Sequence, residues 1–370
     1  MRALLLALLA FSSFPGAHAP RPPRRDSQLD RPFFVASMQR LISQEKLPFG
    51  AQETATPVLD DAETRLYVGT SDGKLRCRFR EKTSWIYEAG GAILASPLID
   101  KDEIYLPDGG GSLTALDRFT GKEKWKSDVH EELTTSPTME NGRLFVMSSE
   151  QSVTAVDATD GKRLWKFHRD PPGGFTIRGD AQPRVAHGAL FVAFADGSVA
   201  SLNPADGVTR WSRQVSGTGD YLDVDWVAAP ADDSRIYVAS AKAGVLALDA
   251  ATGEQSWAAA LPGANHVLVD GLRVIASGRG MLAAFDRISG AALWRFALSG
   301  DRFTTQPVAV DGVVLFAEDR GKLLAVDVQT GEGRGAIDPG SGFSQPVLAR
   351  PGVAYVVSNG GSLFSLGLLP

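Results

Sequence analysis

An Asp followed four residues later by Gly, and four residues after that by Trp, recurs along this 370-residue chain. The copies are Asp117/Gly121/Trp125, Asp157/Gly161/Trp165, Asp249/Gly253/Trp257 and Asp286/Gly290/Trp294, with Asn in the first slot at Asn203/Gly207/Trp211. The cassette decays at Asp327/Gly331, where Gly335 replaces the Trp, and in a shortened first copy that ends at Trp85. A repeat of about forty residues is one supersecondary unit that cannot bury its apolar face alone, so its neighbours must stack on it.

Each unit parses as four short strands. In one of them these are residues 135–139, 143–147, 152–157 and 163–167, alternating apolar with polar and separated by turn-formers such as Asn141-Gly142 and Asp160-Gly161. Inner strands starting at Pro57, Pro97, Pro137, Pro183, Pro230, His266 (in the Pro slot), Pro307 and Pro346 predict an all-β, eight-bladed β-propeller of four-stranded blades. Within the cassette, the Asp accepts hydrogen bonds from the turn backbone and the Gly supplies a positive φ. The Trp residues, Trp125, Trp165, Trp211, Trp257 and Trp294, open the outer strands and are predicted to pack between blades. Burial of each is worth roughly 2–3 kcal/mol. These Asp residues are thus structural rather than catalytic.

The last unit, from Ser344 to Leu369, has room for three strands only, and residues 46–53 are expected to supply its missing outer strand and seal the ring. The division that follows is residues 1–19 as a signal peptide, 20–45 as a Pro- and Arg-rich tether with a short helix over 33–44, and 46–370 as the propeller. The signal assignment rests on Arg2, the apolar run from Ala3 to Phe11, and the small residues ending at Ala19. Pro20 is a poor residue just after a cleavage point, which leaves an uncleaved N-terminal anchor as the alternative. A formal net charge of -5 gives no nucleic-acid footprint. The single cysteine, Cys77, permits no internal disulfide and aligns with Ala115 of the next unit, as a small buried strand residue would. The five His residues are scattered through the repeats without metal-site spacing, so no metal site is expected.

The spans from Trp165 to Pro183 and from Trp211 to Pro230 are about half as long again as those from Trp85 to Pro97 or Trp125 to Pro137. These connections are equivalent in neighbouring repeats, so the ring sets them side by side on one face, and such insertions usually mark a binding face. The first carries Phe175-Thr176-Ile177-Arg178-Gly179-Asp180 and the second Tyr221-Leu222-Asp223-Val224-Asp225-Trp226. Apolar side chains beside one Arg and paired carboxylates have the composition of a protein-binding hot spot. The same composition also fits loops that tuck against the blade ends with Arg178 paired to Asp225.

The repeat as a whole resembles the quinoprotein-type eight-bladed propeller, and most closely the BamB family of the outer-membrane β-barrel assembly machine. BamB proteins carry a Leu-Ser-Leu-Arg-Gly-Glu-like run that resembles residues 175–180, an Asp-Val-Asp run similar to Asp223-Val224-Asp225, and a final-blade run like Ser341-Gly342-Phe343-Ser344-Gln345-Pro346. The resemblance implies a non-enzymatic scaffold without a cofactor that docks on a periplasmic POTRA domain of BamA and helps nascent outer-membrane proteins fold. Position by position it nominates Phe175, Ile177, Arg178, Asp223 and Asp225 as partner contacts. It implies a location in the periplasm at the inner face of the outer membrane. A typical BamB is a lipoprotein with a Cys closing its signal peptide, and no Cys stands near Ala19 here. Membrane association would then come through the partner or through an uncleaved N-terminal segment.

Two other function classes compete. A quinone-dependent dehydrogenase resembles this fold, but such enzymes are typically longer, and many hold the cofactor beneath two adjacent half-cystines with a calcium site nearby. This chain has neither a Cys pair nor a convincing calcium constellation. A periplasmic sensor would bind a glycan or peptide in a central channel lined by aromatic and polar groups. The inner strands are expected to contribute mainly small and aliphatic residues, such as Val308-Ala309-Val310 and Val267-Leu268-Val269.

Overall fold

Each repeat folds as an antiparallel meander in which consecutive strands pair, giving eight four-stranded sheets. The computed structural model describes residues 33–40, 55–60, 62, 64–79, 82–170, 181–217, 224–318 and 321–368. Blade 3 is representative, with strands Thr138–Glu140, Arg143–Met147, Ser152–Asp157 and Arg163–His168 from the inside outwards. Its middle strands are almost wholly buried, whereas its outer strand alternates exposed and half-buried positions. The outer edges of blades 2 to 4 are rich in charge, as in Glu123–Asp128, which discourages further strand pairing.

Cohesion between blades comes from the cassette. Trp125 donates from Nε1 to the Ala158 carbonyl of the next blade at 3.0 Å, and its ring lies 5.9 Å from that of Tyr105 in its own blade. The same bond, always to the residue after the cassette's first position, joins Trp85 to Arg118, Trp165 to Pro204, Trp211 to Ala250, Trp257 to Arg287 and Trp294 to Val328. The cassette Gly serves two ends. Gly161 has a φ of 75°, and a Cβ added there would sit 2.5 Å from Trp125 Cε3. A side chain at that position would therefore displace the indole, which the turn argument alone does not reveal. In the outer strand a bulge skips Leu164, the residue before Trp165, so that Trp165 pairs with Ala155 while Arg163 pairs with Val156.

The cassette carboxylates hold their own turns. Asp117 Oδ1 accepts from the backbone N–H of Phe119 at 3.1 Å and of Thr120 at 2.9 Å, and from Thr120 Oγ1 at 2.8 Å. The Thr120 hydroxyl, with these amides, lowers the Asp117 pKa below the ordinary carboxylate value. Cys77 is fully buried between Tyr67 and Trp85 in register, the place Ala115 takes between Tyr105 and Trp125. Burial pushes its thiol up to about 11, so it is a protonated core residue at neutral pH.

The ring closes as expected in principle but with a different segment. Phe33–Arg40, where a short helix was expected, is a strand that pairs antiparallel with Ser362–Leu368, from Phe33 opposite Leu368 to Arg40 opposite Ser362. It is the outer strand of the last blade, so residues 46–53 do not have that role, and they lie outside the described residues. The blade that lacks a cassette Trp is joined to the last one by a cluster including Val313, Leu315, Phe343, Val356 and Phe364, with Phe343 and Phe364 packed edge-on at 5.8 Å.

Candidate functional site

The connections from each outer strand to the next inner strand lie on one face of the ring, together with the hairpins that join second and third strands. Gly109 N donating to the Ala92 carbonyl at 2.8 Å and Ser149 N to the Glu132 carbonyl at 3.0 Å knit the two kinds of loop together. The cassette turns lie on the opposite face with the first-to-second-strand turns, as in Ala158 N donating to the Gly142 carbonyl at 2.9 Å.

Of the nominated contact residues, Phe175, Ile177, Arg178 and Asp223 lie outside the described residues, whereas Asp225 is described. What the structure shows is where both expanded connections are rooted. The first leaves its blade, and the second leaves and rejoins the sheets, beside one hairpin of blade 4, residues 194–197. On the first connection, the Arg169 guanidinium is ion-paired with Asp196 and lies 5.3 Å from the Phe194 ring centroid. Asp196 Oδ1 meanwhile accepts from Ser198 N at 2.9 Å, so the carboxylate is fully engaged. On the second, Val215 N donates to the Gly197 carbonyl at 2.9 Å, and Gln214 Nε2 to the Asp196 carbonyl at 2.7 Å. Val224 N returns to the Phe194 carbonyl at 3.4 Å. Nothing in the spacing of the chain singled out Arg169, Phe194, Asp196 or Gln214; only the pairing of three non-adjacent segments does.

The second connection is shorter than expected. The inner strand of blade 5 is Val224–Ala228, so Pro230 follows the strand instead of starting it. Asp225 falls at a bulge, because Val224 pairs with Ser240 and Trp226 with Ala239. Asp225 is half-buried and engaged by a neighbour, and stands at the start of the strand rather than in a loop. Trp226 belongs to the inner wall. Its ring centroid is 5.3 Å from that of His266 in blade 6, and the Arg184 guanidinium of blade 4 lies 4.8 Å from it. Arg184 Nε donates to the Val227 carbonyl at 3.3 Å, and burial lowers its pKa to about 10, which still leaves it charged at neutral pH.

Beside Trp226 lies a pocket of about 290 Å³, bounded by His266, by Phe303, Thr304, Thr305 and Gln306 before the inner strand of blade 7, and by Ser344, Gln345 and Pro346 before that of blade 8. Aromatic and amide groups thus gather at the inner ends of these connections, ahead of inner strands such as Val308–Val310 whose residues are small and aliphatic. Burial holds the His266 imidazole neutral, with its pKa pushed down to about 4. Its Nδ1 is 3.3 Å from Ser277 Oγ. Among the described residues no group of three or more His, Cys, Asp or Glu side chains is gathered as metal ligands would be.

The BamB structure from Moraxella catarrhalis superposes with a TM-score of 0.79 at 20% identity, covering 91% of this chain and all of that one. Quinohemoprotein alcohol dehydrogenase from Comamonas testosteroni gives 0.71 at 15% identity, covering 92% of this chain and 78% of its own. The computationally designed protein Ika8 gives 0.70 at 11%, covering 86% and 97%. At these identities the likeness is one of fold, shared by an assembly factor, an enzyme and a designed protein. No curated protein matches the chain by sequence. The sequence profile of the family described as outer membrane protein assembly factor BamB, however, matches residues 62–278, 222–336 and 278–367, nearly the whole ring. On that match, the chain belongs to the outer membrane protein assembly factor BamB family.

Proposed function

We propose that this protein is a non-enzymatic scaffold of the outer-membrane protein assembly machinery, docking on a POTRA domain of BamA from the periplasm and assisting β-barrel proteins to fold and insert. The observation that carries this reading is the family match along residues 62–367. The two expanded connections are the docking elements, with Phe175 and Ile177 supplying apolar contact and Arg178 and Asp223, together with Asp225 on the strand that follows the second connection, fixing orientation through charge-assisted hydrogen bonds. Common rooting on the hairpin of residues 194–197 supports it, because contacts held by a rigid shared base lose less entropy on binding than loops that move independently. The protein sits at the inner face of the outer membrane, attached through its partner or through an N-terminal segment.

The likeness to quinohemoprotein dehydrogenases concerns the fold alone, and the single cysteine of this chain cannot form an adjacent half-cystine pair. The test is genetic. In cells lacking the protein, outer-membrane β-barrel levels fall and the wild-type gene restores them, while a gene carrying Arg178→Ala with Asp223→Ala does not, at equal protein abundance. Full restoration by the double variant would remove the docking assignment, and unchanged barrel levels in the deletion would remove the assembly role.

A further inference from the structure

The pocket beside Trp226 has no part in the docking reading, and its chemistry is specific. None of the residues that bound it is an Asp, Glu, Lys or Arg. The nearest charges, the Arg184 and Arg279 guanidinium groups, lie over the Trp226 and Phe303 rings and are not among the lining residues, so a charged ligand group would lose its water without a lining counter-ion and the pocket favours a neutral occupant. Its polar groups are largely unspent. Thr304 is 4% exposed, and its Oγ1 has no hydrogen-bond partner. Gln306 and Gln345 are both half-buried, and neither side-chain amide is hydrogen-bonded to another described group. A hydroxyl as sheltered as that of Thr304 is ordinarily satisfied, and the two amides, which are not sealed from solvent, are open to a partner from outside the chain. Between them stand flat apolar surfaces from Trp226, Phe303 and Pro346.

We infer that this pocket binds a neutral saccharide unit, free or as the end of a glycan. A pyranose ring offers what the walls lack, hydroxyls that both donate and accept towards two amides and a threonine, and a C–H face that packs on an aromatic ring. The volume of about 290 Å³ is at the small end of ligand sites and suits one ring, or one ring of an oligomer that continues into the channel mouth. The residues come from the inner strands of blades 5 and 6 and from the connections that enter blades 7 and 8, so the site exists only in the closed ring.

The test is titration of the folded full-length protein with N-acetylglucosamine and its oligomers, and with glucose and maltose, by tryptophan fluorescence and calorimetry. Glucuronate and a neutral tetrapeptide serve as comparisons. The expected result is saturable binding of at least one neutral sugar with a Kd in the range of about 0.1–10 mM. Affinity should fall about tenfold or more in Gln306→Leu and in Gln345→Leu, two half-buried positions whose replacement leaves the ring intact. The two sugar series distinguish an acetamido-bearing source from a plain hexose one. Absence of saturable binding to every neutral sugar, equal or tighter binding of glucuronate or the peptide, or undiminished binding in both Leu variants would each overturn the assignment. None of these outcomes bears on docking to BamA.

Discussion

Two glycines of blade 3 have the same backbone conformation and opposite surroundings, which lets the cost of a turn be separated from the cost of a blade contact. Gly142 has a φ of 74° with nothing within 4 Å of an added Cβ, and Gly161 has a φ of 75° with Trp125 Cε3 at 2.5 Å. Replacing Gly142 by Ala costs the left-handed penalty of about 1–2 kcal/mol, offset by about 0.4–1 kcal/mol from the stiffer unfolded chain, for a net loss near 1 kcal/mol. Gly161→Ala has the same backbone cost and also expels the indole. That loses the 3.0 Å bond from Trp125 to the Ala158 carbonyl, worth about 1 kcal/mol, and part of the roughly 2 kcal/mol of indole burial. The expected total is about 3–4 kcal/mol, some 2–3 kcal/mol beyond Gly142→Ala. Equilibrium urea unfolding followed by fluorescence and circular dichroism gives both values, with coincidence of the two signals as the check on a single transition. In a Trp125→Ala background the extra cost should vanish, and Gly161→Ala should cost no more than Gly142→Ala. Equal losses in the two single variants, or an extra cost that persists without Trp125, would refute the cross-blade account of the cassette.

Other expectations follow from the same structure. Because the His266 pKa falls from 6.5 to about 4 on burial, the unfolded chain takes up a proton that the native protein refuses. Stability is therefore full above about pH 6.5 and declines towards pH 4, by roughly 1–2 kcal/mol after allowance for a half-buried ring; His266→Gln should flatten that decline, and an unchanged profile would contradict it. Arg287 Nη2 meets Asp232 Oδ1 at 2.7 Å, and its Nε meets Asp233 Oδ2 at 3.1 Å across the blade 5 to blade 6 boundary. Arg287→Ala should cost only about 1–2 kcal/mol in urea unfolding, because Asp233 keeps its ion pair with Arg235 at 3.0 Å and Asp232 is exposed. Removing residues 1–41 deletes the strand opposite Ser362–Leu368 and should lower Tm by at least about 5 °C in calorimetry. Asp196→Ala frees Arg169 at the root of the first connection and should weaken partner binding about tenfold while leaving the circular dichroism spectrum unchanged.

The ring was legible in the sequence because its signals are local and repeated. The Trp spacing, the Asp-capped turns and the count of eight units each depend on residues within one blade, and the repetition averages out exceptions. What escaped depends on contacts between distant segments. Phe33–Arg40 contains Ala, Met and Gln and reads as helix, but its partner lies at the other end of the chain, and closing the ring outweighs local propensity. Pro230 misled because it stands near the repeat's Pro slot, whereas the bulge at Asp225 lets the strand begin earlier. The Trp contact that makes Gly161 obligatory comes from the preceding blade, and the positive φ was a sufficient reason on its own terms. Of the site, the position of the two connections on neighbouring repeats could be read directly. Their common root on residues 194–197 and the pocket beside Trp226 could not, since each is assembled from residues far apart in the chain.

The central claim is docking through the two connections, and the most direct measurement is equilibrium binding of the purified protein to the POTRA region of BamA from the same organism. The account predicts saturable binding with a Kd of about 1–10 µM, weakened at least tenfold by Arg178→Ala and by Asp223→Ala with unaltered circular dichroism. A folded wild-type protein that fails to bind at about 100 µM, or binding that both substitutions leave untouched, would contradict it.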